Sequence, residues 1–207
     1  SKERVLVELY KILELKNFMM LNESTDLKEI FILIFPEFEN IQRLERLTKI
    51  CNHEQLSTIL LLASLLIDEK NNHEYFGHKY NISNNIKDNL NLFAKNLKLV
   101  NENKDFFIND LEKNIYLYNK NHLINLNILN FAINTKVKFV DFSKNLKRIL
   151  KSKTHRFAID GKYLMENGMQ QGVLVGKVLE EIEEEWIRNN FKITKERVRE
   201  LIRSRSN

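Results

Sequence analysis

The sequence predicts an all-α protein: a multi-helix bundle followed by a small helical tail with a glycine-rich helical hairpin. Three observations carry this. Five glycines and one proline in 207 residues are too few for an all-β chain, which needs turn residues about every 8–12 positions. Apolar residues recur at helical spacing along most of the length. A content of 43% hydrophobic and 29% charged residues suits one large or two small folded domains and excludes a disordered chain.

Taken in order, Val5, Leu9, Ile12 and Leu13 share a helix face, and the chain opens inside this helix without an evident cap. The apolar run Phe31 to Phe35 should end at Pro36, because the residue before proline disfavours the helical region. Ile41, Leu44, Thr48 and Cys51 mark a further amphipathic helix. Gln55 to Ile67 form a nearly all-apolar one that belongs in the core. Cys51 reads as a buried small hydrophobe, and a lone cysteine excludes an internal disulfide and any multi-cysteine zinc site. Asp68 to Tyr80 read as a polar loop. His73 and His78 beside Asp68 and Glu74 raise the question of a metal, but their spacing fits no standard zinc pattern and a solvated loop is expected. Ser83 is a capping residue for a helix with Ile86, Leu90, Phe93 and Leu97 on one face. Helices over Lys104 to Asn119 and His122 to Thr135 follow. The short β-prone stretches FFIN and Val137 to Phe142 have no partner run and stay helical in this reading.

Two stretches bear on function. Ser143 to Arg156 holds Lys144, Lys147, Arg148, Lys151, Lys153 and Arg156 with no acidic residue, while Phe142, Leu146, Ile149 and Leu150 take the opposite side. This is an amphipathic helix with a basic face, either an ordinary solvated surface or a phosphate-binding one. The segment from Phe157 to Trp186 then holds four of the five glycines. Gly161 and Gly168 bracket a short helix. Gly172 and Gly176 open a second, with Val175, Leu179, Ile182 and Trp186 on its buried face. The bare stripe either lets two helices approach closely or offers free N–H groups to an anion at a helix N-terminus. Lys162 and Lys177 flank these glycines and join the candidate phosphate-binding residues. The acidic run Glu180 to Glu185 reads as the solvated back of that helix. Thr194 caps a last helix with Val198, Leu201 and Ile202 inward, ending in Arg203 and Arg205 on a fraying end.

The sequence FAIDGKYLMENGMQQGVLVGKVLEEIEEEWIRNNFKIT resembles the C-terminal part of bacterial CCA-adding tRNA nucleotidyltransferases and the related bacterial poly(A) polymerases. Asp160, Gly161, Leu164, Gly168, Gly172, Gly176, Leu179 and Trp186 match at the family's spacing. The opening SKERVLVELYKIL and the later FPEF are similar to the family's passage from neck to body. The resemblance implies an end of the neck at 1–36, a helical body at 37–142, and a basic helix and tail at 143–207. It also implies a role in holding tRNA during 3′-end maturation. In that family an Asp-x-Asp pair of a head domain holds two metal ions, and a Glu-Asp-x-x-Arg motif selects CTP or ATP. This sequence has neither, and two-metal transfer requires such carboxylates. The chain is therefore expected to have no catalytic residue, metal or cofactor of its own. Mg and the nucleotides would belong to a head domain, and a separate head-domain chain is a candidate partner beside tRNA. CCA and poly(A) addition are not distinguished. A freestanding RNA- or DNA-binding protein with a helix-hairpin-helix phosphate clamp and a protein-binding scaffold remain as alternatives. No secretory signal or membrane-length apolar run is visible, so a cytoplasmic location without a membrane partner is expected.

Overall fold

A computed structural model describes residues 1–50 and 56–205, with the side chains of 15, 16 and 18 left aside. Cys51 and Gln55 lie outside the described residues. Among those described, the chain folds into thirteen α-helices and one 3-10 turn, with no strand. No helix is long and apolar enough to cross a membrane. Two compact units result: Ser1–Leu111 with Lys120–Lys151, and Glu112–Asn119 with Ser152–Asn207. The basic helix thus groups with the residues before it, whereas the resemblance groups it with the tail.

The first unit begins with α1 (Lys2–Ile12), α2 (Leu15–Glu23) and α3 (Thr25–Ile34). Ser1 does cap α1, its hydroxyl accepting from the Arg4 N–H at 3.4 Å. Helix α3 stops before Pro36 as its chemistry requires, and a 3-10 turn (Pro36–Phe38) follows. Next come α4 (Arg43–Thr48) and α5 (Thr58–Leu66), the latter capped by Ser57 and buried from Leu60 to Leu66. Residues 72–79, read above as loop, form α6 (Asn72–Lys79). The reason is tertiary. Phe76 packs on Phe38 with centroids 5.5 Å apart, and Lys79 donates to the buried Glu37 carboxylate.

Helix α7 (Asn84–Glu102) buries Leu90, Phe93 and Leu97 as the spacing predicts, although the Ser83 side chain makes no cap bond. Residues 104–110 are turns, and only α8 (Leu111–Tyr118) is helical in that stretch. Asp110, in the left-handed region at φ 54°, interrupts it. Helix α9 (Lys120–Ile133) is buried nearly all round, and α10 (Phe139–Lys151) lies against it.

Two arginines of α4 close two other helices. The Arg43 guanidinium donates to Ser64 and Ile67 carbonyls at the end of α5. Arg46 donates to the carbonyls of Phe131 in the last turn of α9 and of Asn134 and Val137 just beyond it, and it stacks over the Phe131 ring at 4.2 Å. C-terminal carbonyls have no intrahelical donor, so these bonds satisfy groups that burial would otherwise orphan.

The second unit contains most of α8 together with α11 (Gly161–Glu166), α12 (Val173–Arg188) and α13 (Lys195–Arg205). Leu164, Met169, Val178, Ile182, Val198, Leu201 and Ile202 form its core. Beside this core Tyr116, Phe157, Trp186 and Phe191 make an aromatic cluster. Both α11 and α12 end in the same hydrogen-bond pattern. Met169 N–H returns to the Leu164 carbonyl and Gly168 N–H to Met165, while Phe191 N–H returns to Trp186 and Asn190 N–H to Ile187. The residue after each helix cap, Gly168 at φ 100° and Asn190 at φ 53°, is left-handed. The many asparagines have a use here, since Asn71, Asn81 and Asn119 also sit at positive φ. Asparagine tolerates that region better than other residues with a side chain, and glycine is scarce.

Candidate nucleic-acid interface

Helix α10 buries Phe142 and Ile149, and its Phe142 carbonyl accepts a 3.0 Å bond from the buried Asn127 side chain of α9. That fixes which face points outward. Lys144, Lys147, Arg148 and Lys151, spaced i, i+3, i+4 and i+7, are all exposed on it. Arg148 donates to Asn145 at 3.1 Å. Among the described residues Lys144, Lys147 and Lys151 have no ion-pair partner. Leu150, expected on the apolar side, is instead 56% exposed.

The basic helix ends at Lys151, five residues short of Arg156. Lys153 and Arg156 lie in a non-helical segment of the second unit. Burial alternates along it: His155, Phe157 and Ile159 are half-buried and Thr154, Arg156 and Ala158 exposed, the two-residue period of extended chain. His155 stacks on Phe191 at 3.7 Å and Phe157 meets Trp186 at 5.3 Å, so aromatic packing outcompetes continuation of the helix. Lys162 on α11 and Lys177 on α12 are exposed, and Lys162 has a loose 3.8 Å pair with Glu166.

At the hairpin, Asp160 caps α11 by accepting from the Tyr163 N–H at 2.8 Å. A β-carbon added at Gly161 would lie 3.2 Å from Val175 Cγ1, so this is the glycine that lets α11 approach α12. Gly172 and Gly176 are exposed, and an added β-carbon at either would meet nothing within 4 Å. Of the two readings of the glycine stripe, close packing therefore holds at Gly161 and not at Gly172 or Gly176, which face open space. No side chain caps the N-terminus of α12, and Val173 after Gly172 is 82% exposed. The inward face of α12 gains Val178, buried between Val175 and Leu179.

The acidic run is more than a solvated back. Glu185 takes a bidentate contact from Arg197, Glu181 one from Arg205, and Glu183 accepts from the Tyr116 hydroxyl. Arg205 is thereby tied down rather than fraying. The hydrogen bond from Arg197 holds the Glu185 carboxyl below its ordinary range. Burial and the bond to Glu183 push the Tyr116 hydroxyl up to about 12. These pairs join residues far apart in sequence and leave no local periodic signal.

Another constellation absent from the sequence reading is a cleft of about 710 Å³ in the first unit, lined by Arg43, Asp68, His73, Lys98, Asn101 and Asn130 among others. His73 and Asn130 are buried, and burial holds His73 below its ordinary pKa and so neutral at neutral pH. Its residues come from several helices, which no spacing rule connects. No group of three or more His, Cys, Asp or Glu among the described residues is arranged to hold a metal ion. No family model, curated protein or solved structure matches this chain.

Proposed function

We propose that this chain is the tRNA-binding, non-catalytic neck, body and tail portion of a CCA-adding tRNA nucleotidyltransferase. The observation that carries the reading is the exposed cation row of α10, whose three lysines have no ion-pair partner among the described residues. Such a row suits phosphates rather than base edges. Duplex RNA hides its bases in a deep, narrow major groove and is held largely by shape and backbone contacts. The open N-terminus of α12 at Gly172 offers a second feature of the same chemistry. An apolar surface of Met20, Ile30, Leu33 and Ile34 on α2 and α3 is exposed and supports a further protein partner, the head domain in this reading.

The test is tRNA binding as a function of salt. If about three to five cations neutralise phosphates, log affinity falls against log salt with a slope of roughly −3 to −4.5. Lys147→Ala with Arg148→Ala should lower its magnitude by up to about 2. An unchanged slope returns the row to solvent and sinks the proposal. The pure chain should incorporate no CTP or ATP into tRNA lacking its 3′ end.

A further inference from the structure

A groove of about 330 Å³ opens on the second unit. Phe157, Tyr163, Trp186 and Ile193 give it an aromatic and apolar surface, and the exposed Arg156 and Lys195 line it as well. No carboxylate does so among the described residues. The aromatic wall is built in advance of any ligand. Trp186 is only 9% exposed, held by Tyr116 at 5.3 Å and Phe191 at 4.9 Å, with Phe157 beside it at 5.3 Å. Extended chain at 153–160 turns Phe157 inward and the neighbouring Arg156 outward, and Thr194, capping α13 through the Arg197 N–H, fixes the start of the helix that bears Lys195.

The volume is at the lower end of small-ligand sites, room for one ring system and too small for a duplex. A flat apolar ring joined to an anion satisfies both halves of the lining. We propose that the groove takes one unpaired nucleotide of a bound RNA strand, with its base on the wall of Phe157, Tyr163 and Trp186 and its phosphate on Arg156 and Lys195. The proposal rests on the RNA-binding reading above and adds to it a stacking site that phosphate contacts alone would not need. Unpaired bases are the parts of RNA that aromatic side chains engage, and stacking tolerates any base because each has a π face.

Trp186 is the only tryptophan of the chain, so its fluorescence reports this groove. A single-stranded RNA hexamer should quench it saturably. An abasic hexamer of equal charge should bind about 5- to 150-fold more weakly, the fold-change for one stacked base. Replacing Arg156 and Lys195 together by alanine should lower the magnitude of the salt slope for the hexamer by about 0.7, the single-strand value for one neutralised phosphate. Tyr163→Ala should weaken the hexamer in the same range as the abasic strand; should it fail to fold, the exposed Arg156 and Lys195 variants still decide. Equal binding of the abasic strand, quenching by blunt duplex as strong as by the hexamer, or no quenching at any hexamer concentration each overturns the proposal. Failure of the tRNA reading is told apart by Lys147→Ala with Arg148→Ala. That pair should lower tRNA affinity and leave hexamer quenching unchanged.

Discussion

Gly176→Ala should raise the stability of the second unit, and by an amount that the geometry sets. Gly176 is the fourth residue of α12, and a β-carbon there meets nothing within 4 Å. No overpacking term opposes the change, so the gain is the helix-propensity difference between glycine and alanine, about 0.8–1.0 kcal/mol. For a unit of about 60 residues, 1 kcal/mol moves Tm by roughly 4–8 °C. Melting followed by Trp186 fluorescence isolates this unit, because no other tryptophan is present. Three other glycines calibrate the measurement. Gly161→Ala should cost about 1 kcal/mol, since the new methyl presses on Val175 at 3.2 Å. Gly168→Ala should cost about 1–2 kcal/mol because its φ of 100° suits no L side chain. Gly172→Ala should cost about 0.5–1 kcal/mol as a weaker N-cap. A fall in Tm for Gly176→Ala would show that α12 packs through this position and refute the reasoning.

Further outcomes follow from the hydrogen-bond pairs. Arg46→Ala removes three carbonyl partners and a ring contact from the first unit, and should cost about 2–4 kcal/mol in a denaturant titration followed by circular dichroism; Arg46→Lys should recover only part, because a single ammonium cannot span the three acceptors. The Glu185 carboxyl is held below its unfolded value of 4.5 by Arg197, so its contribution is present above pH 4.5 and fades as pH falls below it. Acid melting of Glu185→Gln should lack that share of the decline, and an identical acid profile would contradict the pairing. Tyr116, raised from 10.0 to about 12 by burial first and Glu183 second, stabilises the fold fully below pH 10 and loses that effect as pH rises towards 12. Burial also raises Tyr10, so ultraviolet titration should show late-ionising tyrosines of which one is lost in Tyr116→Phe.

Local chemistry determined much of this protein on its own. The apolar run ending α5, the stop before Pro36, the spacing of Leu90, Phe93 and Leu97 in α7, the caps at Asp160 and Thr194 and the left-handed Gly168 are all decided by residues within a turn or two of each other. The cation row of α10 was legible for the same reason, being a periodic pattern on one helix. Tertiary structure decided where several elements begin and end. Residues 72–79 lack a strong helical pattern, yet Phe76 and Tyr80 find Phe38 and Phe35 across the chain and the segment coils. The stretch after Lys151 has the helix-forming Lys153 and Arg156, yet His155 and Phe157 gain more from Phe191 and Trp186 than a further turn would supply. Only folding could bring Arg156, Tyr163, Trp186 and Lys195 to one groove, or set Glu181, Glu183 and Glu185 against Arg205, Tyr116 and Arg197. Backbone preference acts through neighbours along the chain, whereas stacking, ion pairing and desolvation act through space. A side chain's distant partner is therefore fixed by the path of the whole chain rather than by its own sequence neighbourhood.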